Sequence, residues 1–409
     1  MRFAAHSLAK ALALPCGATS PYRRGMRTTT LLATVGLLIG ACVPVAIAPS
    51  ASPVSPPPTS APPTTATSAP SLAPTAAPTP AGAAPTAVRF IDPLHGWLGT
   101  QDGLFGTKDG GATWDRQLGG GSITRIWSYD ATHAWALASD NALYRTQDGV
   151  HWTPIEPRPN PPITQIDVFS PDLLWAIGVT PATGPQPAEV FGHVMRSTDG
   201  GASWQSVGTH SMWSVCFDTT TEGVGAEGKQ LFRTSDAGRT WTPTVQLPIN
   251  DDGPYWYPAL TCPNGTNYRV QVTEPNAAAG HAPYLVFRTN TGGSSWLLEF
   301  REGYTLGTTT PPNTPQLGTF PSIMQSNLAG GRTWFITCSP GATSIEFLLL
   351  GPTGETLARG PVPVADCAVD GQVIDLTHVV VVAGSTSSVI ATDDGGATWR
   401  TIYKGRPRV

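Results

Sequence analysis

The sequence predicts an all-β fold: a seven-bladed β-propeller of four-stranded antiparallel blades over residues 87–409, preceded by a signal peptide and a disordered linker. Three observations predict it. A turn of pattern Ser/Thr-x-Asp-x-Gly-x-Thr/Ser-Trp recurs along the chain. A Trp-bearing strand recurs upstream of these turns, and 44 glycines among 409 residues suit a fold of many tight reversals.

Residues 1–42 carry Arg2, Lys10, Arg23, Arg24 and Arg27, no acid, and then the apolar run LLATVGLLIGA at 31–41. A basic segment ahead of a short apolar run is how a signal peptide is built. The run is too short to cross a bilayer as a helix, which takes about 20 residues. A start at Met26 would give this leader an ordinary length. The run closes on Ile39-Gly40-Ala41-Cys42. Small residues before a cysteine resemble the bacterial lipobox, although Ile39 stands where Leu is commoner. That resemblance implies lipidation of Cys42 and anchorage to the outer side of the cell membrane; secretion with an incidental cysteine is the competing reading.

Residues 43–86 are dominated by Pro, Ala, Thr and Ser and lack the apolar periodicity that could repay chain entropy. Prolines bias such a chain toward extended conformations, and about 44 residues at roughly 3.1 Å each would reach on the order of 130 Å. A spacer between anchor and folded domain is expected, with a cell-wall stalk as the alternative. Of 24 basic and 28 acidic residues, 19 and 28 lie beyond residue 42. A net negative domain argues against nonspecific nucleic-acid binding.

The folded part shows its repeat in the clearest copy, Thr107, Asp109, Gly111, Thr113 and Trp114. Ser197, Asp199, Gly201, Ser203 and Trp204 form a second; Thr234, Asp236, Gly238, Thr240 and Trp241 a third; Thr392, Asp394, Gly396, Thr398 and Trp399 a fourth. Two copies are imperfect: the turn with Asp148 and Trp152 is one residue short, and the one ending at Trp296 has Thr291 in place of Asp. The Asp carboxylate can accept N–H groups across the turn, Gly permits positive φ, and Trp opens the returning strand with its ring beneath the turn. Upstream, pairs such as Ile123–Ile126 with His133–Leu137, and Ile163–Ile166 with Leu173–Ile177, read as two further strands. The last interval between motif tryptophans, 296 to 399, is two units wide. It holds a degenerate copy: Trp334 supplies the strand, and Phe347–Leu350 with Gly351–Thr356 supplies the rest without Asp or final Trp. Seven four-stranded units close radially and leave few open edges; a pair of β-sandwiches is the rival arrangement.

The motif resembles the Asp-box, or BNR repeat, of sialidases, sortilin-type receptors, xyloglucan-degrading glycosidases and the photosystem II stability/assembly factor family. The pairing of His95-Gly96-Trp97-Leu98-Gly99 with Thr107–Trp114 is most similar to that last family, and the likeness extends over almost all of 87–409. The resemblance implies a propeller used for binding or assembly; a sialidase-like glycan-binding protein or glycoside hydrolase is the alternative.

Signals for catalysis are poor. A sialidase would need a Phe/Tyr-Arg-Ile-Pro segment where this domain has VRFIDP, so Arg89 lacks the matching neighbours. Glu302 and Tyr304 read as a solvated loop. No histidine falls in HExxH, no Gly-x-Ser-x-Gly elbow occurs, and Asp393-Asp394 and Asp251-Asp252 lack the spacing of a calcium loop. No catalytic residue, metal or cofactor is expected, and His95 and His133 read as turn residues. Cys216, Cys262, Cys338 and Cys367 suit an oxidising compartment. Pairing 216 with 262 and 338 with 367 across adjacent blades is expected, with buried free thiols the alternative. Strand parity puts every Asp-type turn on one face, so a ligand is expected on the opposite face. Its most distinctive loop sets Asp251 and Asp252 beside Tyr255, Trp256 and Tyr257, an aromatic group suited to a glycan or peptide partner. A monomer with an unknown protein or glycan partner is expected.

Overall fold

A computed structural model describes residues 82–180, 192–249, 257–261, 266–273, 284–301, 320–328 (backbone), 332–338, 343–365 and 367–406. Cys42, the loop residues 250–256, Cys262, Glu302 and Tyr304 lie outside these. Within the described residues, seven four-stranded sheets follow one another along the chain, each an antiparallel meander in sequence order. The innermost strands of blades 1 to 7 are Pro85–Phe90, Ile123–Ser128, Ile163–Val168, Ser214–Phe217, Tyr257–Thr261, Phe320–Leu328 and Ala368–Val373. Each touches the next, and the seventh returns to the first, so the ring closes. Every blade is one continuous stretch, with no strand exchanged between first and last.

The blade that the sequence marks only by Trp334 and the Phe347–Leu350 run is complete, with Arg332–Cys338 and Ile345–Leu350 as its middle strands. The first strand starts at Pro85, inside the segment assigned to the linker. Proline is tolerated at a strand's first residue, where its missing N–H costs no ladder bond. Just upstream, Gly82 forms a parallel bridge with Gly405, and Arg406 N–H donates to the Gly82 carbonyl at 2.8 Å.

Apolar packing lies between blades. Trp97, Leu104, Ile123, Ala134 and Ala136 form the cluster between blades 1 and 2. Val88, Phe90, Leu98, Val380 and Val382 form that between blades 7 and 1. This explains why second strands such as Ala134–Ala138 read as unbroken apolar runs: both faces of the strand are buried. Register shifts between third and fourth strands, for instance at Leu104/Phe105, Val286/Phe287 and Val389/Ile390, add local twist at the outer edge of several blades.

Candidate functional site

Two faces follow from the meander. Turns between strands 1 and 2 share a face with the Asp-type turns, and backbone bonds join them: Gly110 N–H to Leu94 O at 2.9 Å, Gly149 N–H to Thr132 O at 3.0 Å, Gly395 N–H to Thr377 O at 2.9 Å. Turns between strands 2 and 3 meet the interblade links on the other face, as when Ser139 N–H donates to Ser122 O at 2.8 Å.

In the Asp-type turns the carboxylate organises the reversal. Asp109 Oδ1 accepts the Thr113 N–H and Thr107 hydroxyl, each at 2.9 Å, while Oδ2 accepts the Thr113 hydroxyl at 2.6 Å. The same set joins Asp199 to Ser203 and Ser197, Asp236 to Thr240 and Thr234, and Asp394 to Thr398 and Thr392. The Thr240 hydroxyl and N–H hold the Asp236 carboxyl down at about 2. Gly111, at φ 83°, sits so close to the Ile402 side chain that a Cβ would lie 2.9 Å from it. The residue at this turn position is glycine in each full copy: Gly201, Gly238 and Gly396 also have positive φ. In the short turn Asp148 accepts the Val150 and His151 N–H groups. In blade 5, Thr291 Oγ1 accepts the Ser295 N–H at 2.9 Å. In blade 6, Glu355 takes the N–H and hydroxyl of Thr353.

The motif tryptophans reach beyond their own turns. Trp114 Nε1 donates to Ile402 O at 2.8 Å, Trp152 Nε1 to Gln117 Oε1 at 2.8 Å and Trp399 Nε1 to Pro361 O at 2.9 Å, each in the preceding blade. Trp296 instead donates within its own turn, to Gly293 O at 3.2 Å. Tryptophans on the second strands reach forward: Trp97 Nε1 to Gly149 O, Trp135 Nε1 to Gly200 O and Trp175 Nε1 to Ala237 O. A second staple, unnoticed in the sequence, pairs Asp92 with His95, Asp130 with His133 and Asp375 with His378 in the turns between strands 1 and 2. Partial burial would raise the Asp130 carboxyl, yet the Thr132 hydroxyl and the N–H groups of Thr132 and His133 bring it to about 2.

Blade 5 puts Arg269 where blades 2 and 3 have Trp, since Arg269 pairs with Arg288 as Trp135 pairs with Arg145 and Trp175 with Arg196. Arg269 is 1 % exposed and donates to Gly351 O at 2.9 Å and Thr333 Oγ1 at 3.0 Å in blade 6. It also donates to both oxygens of Glu299, at 2.7 and 3.1 Å, and Arg288 Nε lies 3.2 Å from the same carboxylate.

A central channel of about 390 Å³ is bounded by the far ends of the innermost strands, so its mouth lies on the Asp-turn face. Polar groups in and beside it join neighbouring blades. Asp370 accepts the Val88 N–H at 2.9 Å, Gln372 exchanges two 2.8 Å bonds with the Phe90 backbone, Arg89 Nε donates to Ser128 Oγ at 3.0 Å, and Asp167 accepts the Phe217 N–H at 2.8 Å. Asp167, which lines the channel, and Asp370 are each partly exposed. Even so, the enclosing blades exclude enough water to push Asp167 up to about 7 and Asp370 up to about 6. The same burial lowers Arg89. Among the described residues no three His, Cys, Asp or Glu side chains converge as a metal ion would need.

Of the aromatic loop, Tyr257 is described: it is exposed and packs edge-on against Trp213, ring centroids 4.7 Å apart, on the face of the interblade links. Cys338 and Cys367 form a disulfide from the end of a blade 6 strand to the start of blade 7. Cys216 is disulfide-bonded as well, and its expected partner Cys262 lies outside the described residues.

No family model matches the chain, and no curated protein does. Solved structures do. YCF48 from Cyanidioschyzon merolae is 17% identical with a TM-score of 0.37, over 80% of this chain and 87% of that one. An ancestral GH74 enzyme is 14% identical with a TM-score of 0.52, over 80% of this chain but about half (47%) of that chain. A puromycin-hydrolyzing peptidase of Mycobacterium tuberculosis is 17% identical with a TM-score of 0.45, over 80% of this chain and 56% of that one. What these likenesses share with this chain is the fold, and the described residues form a seven-bladed β-propeller.

Proposed function

We propose that this chain is a non-enzymatic propeller, lipid-anchored through Cys42 to the outer side of the cell membrane, that serves as a protein-binding or assembly scaffold. The observation that carries this reading is the use of the polar groups in and beside the channel. Asp370, Gln372, Asp167 and Arg89, the groups a hydrolase would draw on, are spent in side-chain bonds that join one blade to the next. Groups committed to holding a ring closed are poor candidates for cycling protons during turnover. The Asp-box likeness and the signal segment support export and anchorage. The described segment starts and ends on the face of the interblade links, where Gly82 bridges Gly405.

A hydrolytic reading draws on a different observation: Arg89 and Arg125 lie near Asp370, whose carboxyl is raised to about 6. One assay separates the two. The full chain and its Asp370→Asn variant are incubated with chromogenic sialosides and xyloglucan oligosaccharides. The scaffold reading expects no turnover above the variant, and turnover that Asp370→Asn abolishes would overturn it. Anchorage is checked by palmitate labelling in bacterial cells: label should enter the parent chain and be lost in Cys42→Ala, and an unlabelled parent overturns the anchor.

A further inference from the structure

Apolar residues line the channel mouth on four consecutive blades. Ile374 of blade 7, Ile91 of blade 1, Tyr129 of blade 2 and Phe169 of blade 3 occupy equivalent positions just past their innermost strands and bound the channel. Beyond them, Leu94 and Leu376 stand in the adjoining turns at 53 % and 47 % exposure, and Tyr129 itself is 48 % exposed. Most large apolar side chains in this ring are buried between blades. Three exposed ones on one rim, around an opening into a cavity, form a patch of the kind that marks a binding surface. At blade 4 the series ends, because the equivalent position is Asp218, which accepts the Tyr268 hydroxyl.

The charge around this crescent is mainly negative. In the turns of blades 7, 1 and 2 stand Asp375, Asp394, Asp92, Asp109, Asp130 and Asp148 against Lys108, with Asp393 already paired to Arg400 at 3.0 Å. Hydrogen bonds donated into these carboxylates keep them ionised at neutral pH, Asp394 and Asp130 at about 2. An acidic rim around an apolar opening attracts a cationic partner, and field complementarity of this sort speeds encounter and selects partners. The opening, about 390 Å³, lies near the lower end of the roughly 300–1,000 Å³ of small-ligand clefts. It admits a protruding side chain rather than a folded module.

We infer that the channel mouth on the Asp-turn face, from blade 7 through blade 3, docks an extended polypeptide segment in which an apolar or aromatic side chain is flanked by Lys or Arg. The apolar side chain enters the mouth between Ile91, Tyr129 and Ile374, and the flanking cations lie over the acidic turns. This deepens the scaffold reading and rests on it, while moving the binding face to the side opposite the aromatic loop.

The test is selection of displayed random 12-residue peptides on the full chain, followed by affinity measurement with the enriched sequences. The expected consensus is an aromatic or aliphatic residue with Lys or Arg within three positions. Its binding should weaken at least tenfold in Tyr129→Ser and in Leu94→Ser/Leu376→Ser, all exposed positions that leave the core untouched. It should weaken with added salt and survive Trp213→Ala on the other face. A consensus without basic residues, or binding indifferent to the rim substitutions, overturns the inference. Peptides whose binding is lost in Trp213→Ala but not in the rim variants overturn the face and leave the scaffold reading standing. No enrichment above a blank surface overturns both.

Discussion

Between blades 2 and 3, the neutral indole of Trp135 donates to Gly200 O, and Arg145 Nη1 joins it at 3.3 Å. Between blades 5 and 6, the buried guanidinium of Arg269 makes the equivalent reach to Gly351 O, and it brings Glu299 and Arg288 with it. The first seam is assembled from independent parts: a ring that packs, one donor, one acceptor. A buried cation needs its counter-charge and its remaining N–H groups satisfied at the same time, so the second seam stands or falls as a set. The difference coincides with the turns: blade 3 has the full Asp turn, while blade 6 has Glu355 on a turn without Asp or Trp.

Substitutions at the two seams should separate these designs, and the largest effect belongs to the ionic one. Arg269→Ala leaves Glu299 buried with a weaker partner and should cost about 3–5 kcal/mol, the usual penalty for breaking a buried pair; urea unfolding of the full chain measures it. A cost below about 1 kcal/mol would show that the network is not a set. Next comes the covalent seam between blades 6 and 7: the Cys338→Ala/Cys367→Ala variant opens a loop of 29 residues, worth about 3–4 kcal/mol in the chain-entropy picture. Trp135→Phe keeps an aromatic ring and removes only the N–H, so about 1 kcal/mol is expected in the same assay. An equal loss at Trp135→Phe and Arg269→Ala would erase the contrast between the two seams.

A gain should follow from completing a defective turn. Thr291→Asp adds a second oxygen to accept the Ser295 hydroxyl as Asp109 accepts Thr113, and should stabilise by about 0.5–1 kcal/mol. An effect of a different kind is a slope with pH. The Asp167 carboxyl, raised to about 7, stays protonated in the folded chain between pH 4 and 7, where the unfolded chain has released its proton. Stability therefore falls as pH rises through that window. Asp167→Asn should flatten the dependence of Tm on pH between 5 and 7, and an unchanged slope would remove this residue as its source.

The sequence carried the ring because its repeats sit where backbone geometry is demanding: Asp109, Gly111 and Trp114 each answer a local requirement, so they recur and can be counted. Blade 6 was legible from Trp334 and the spacing despite its lost Asp. Arg269 was hidden, since an arginine in an apolar strand has no meaning until alignment with Trp135 and Trp175 puts it in the same socket. The channel was hidden for another reason. Asp370 and Val88 are 282 residues apart, and nothing local in Ala368–Val373 or Pro85–Phe90 announces that ring closure will make them partners. Asp92, Asp130 and Asp375 carry a local signal, since each stands three residues before a histidine.

That separation also sets a clock. Because no strand is exchanged between first and last blades, blade 1 has its own four strands early but lacks a cover for Val88, Phe90 and Leu98 until Val380 and Val382 arrive. At about 5–20 residues per second of synthesis, the 282 residues between Val88 and Asp370 amount to a wait on the order of 15–60 s. During it one side of the growing stack is an uncovered apolar sheet. For this ring, the last four strands to be made decide whether the first four stay soluble.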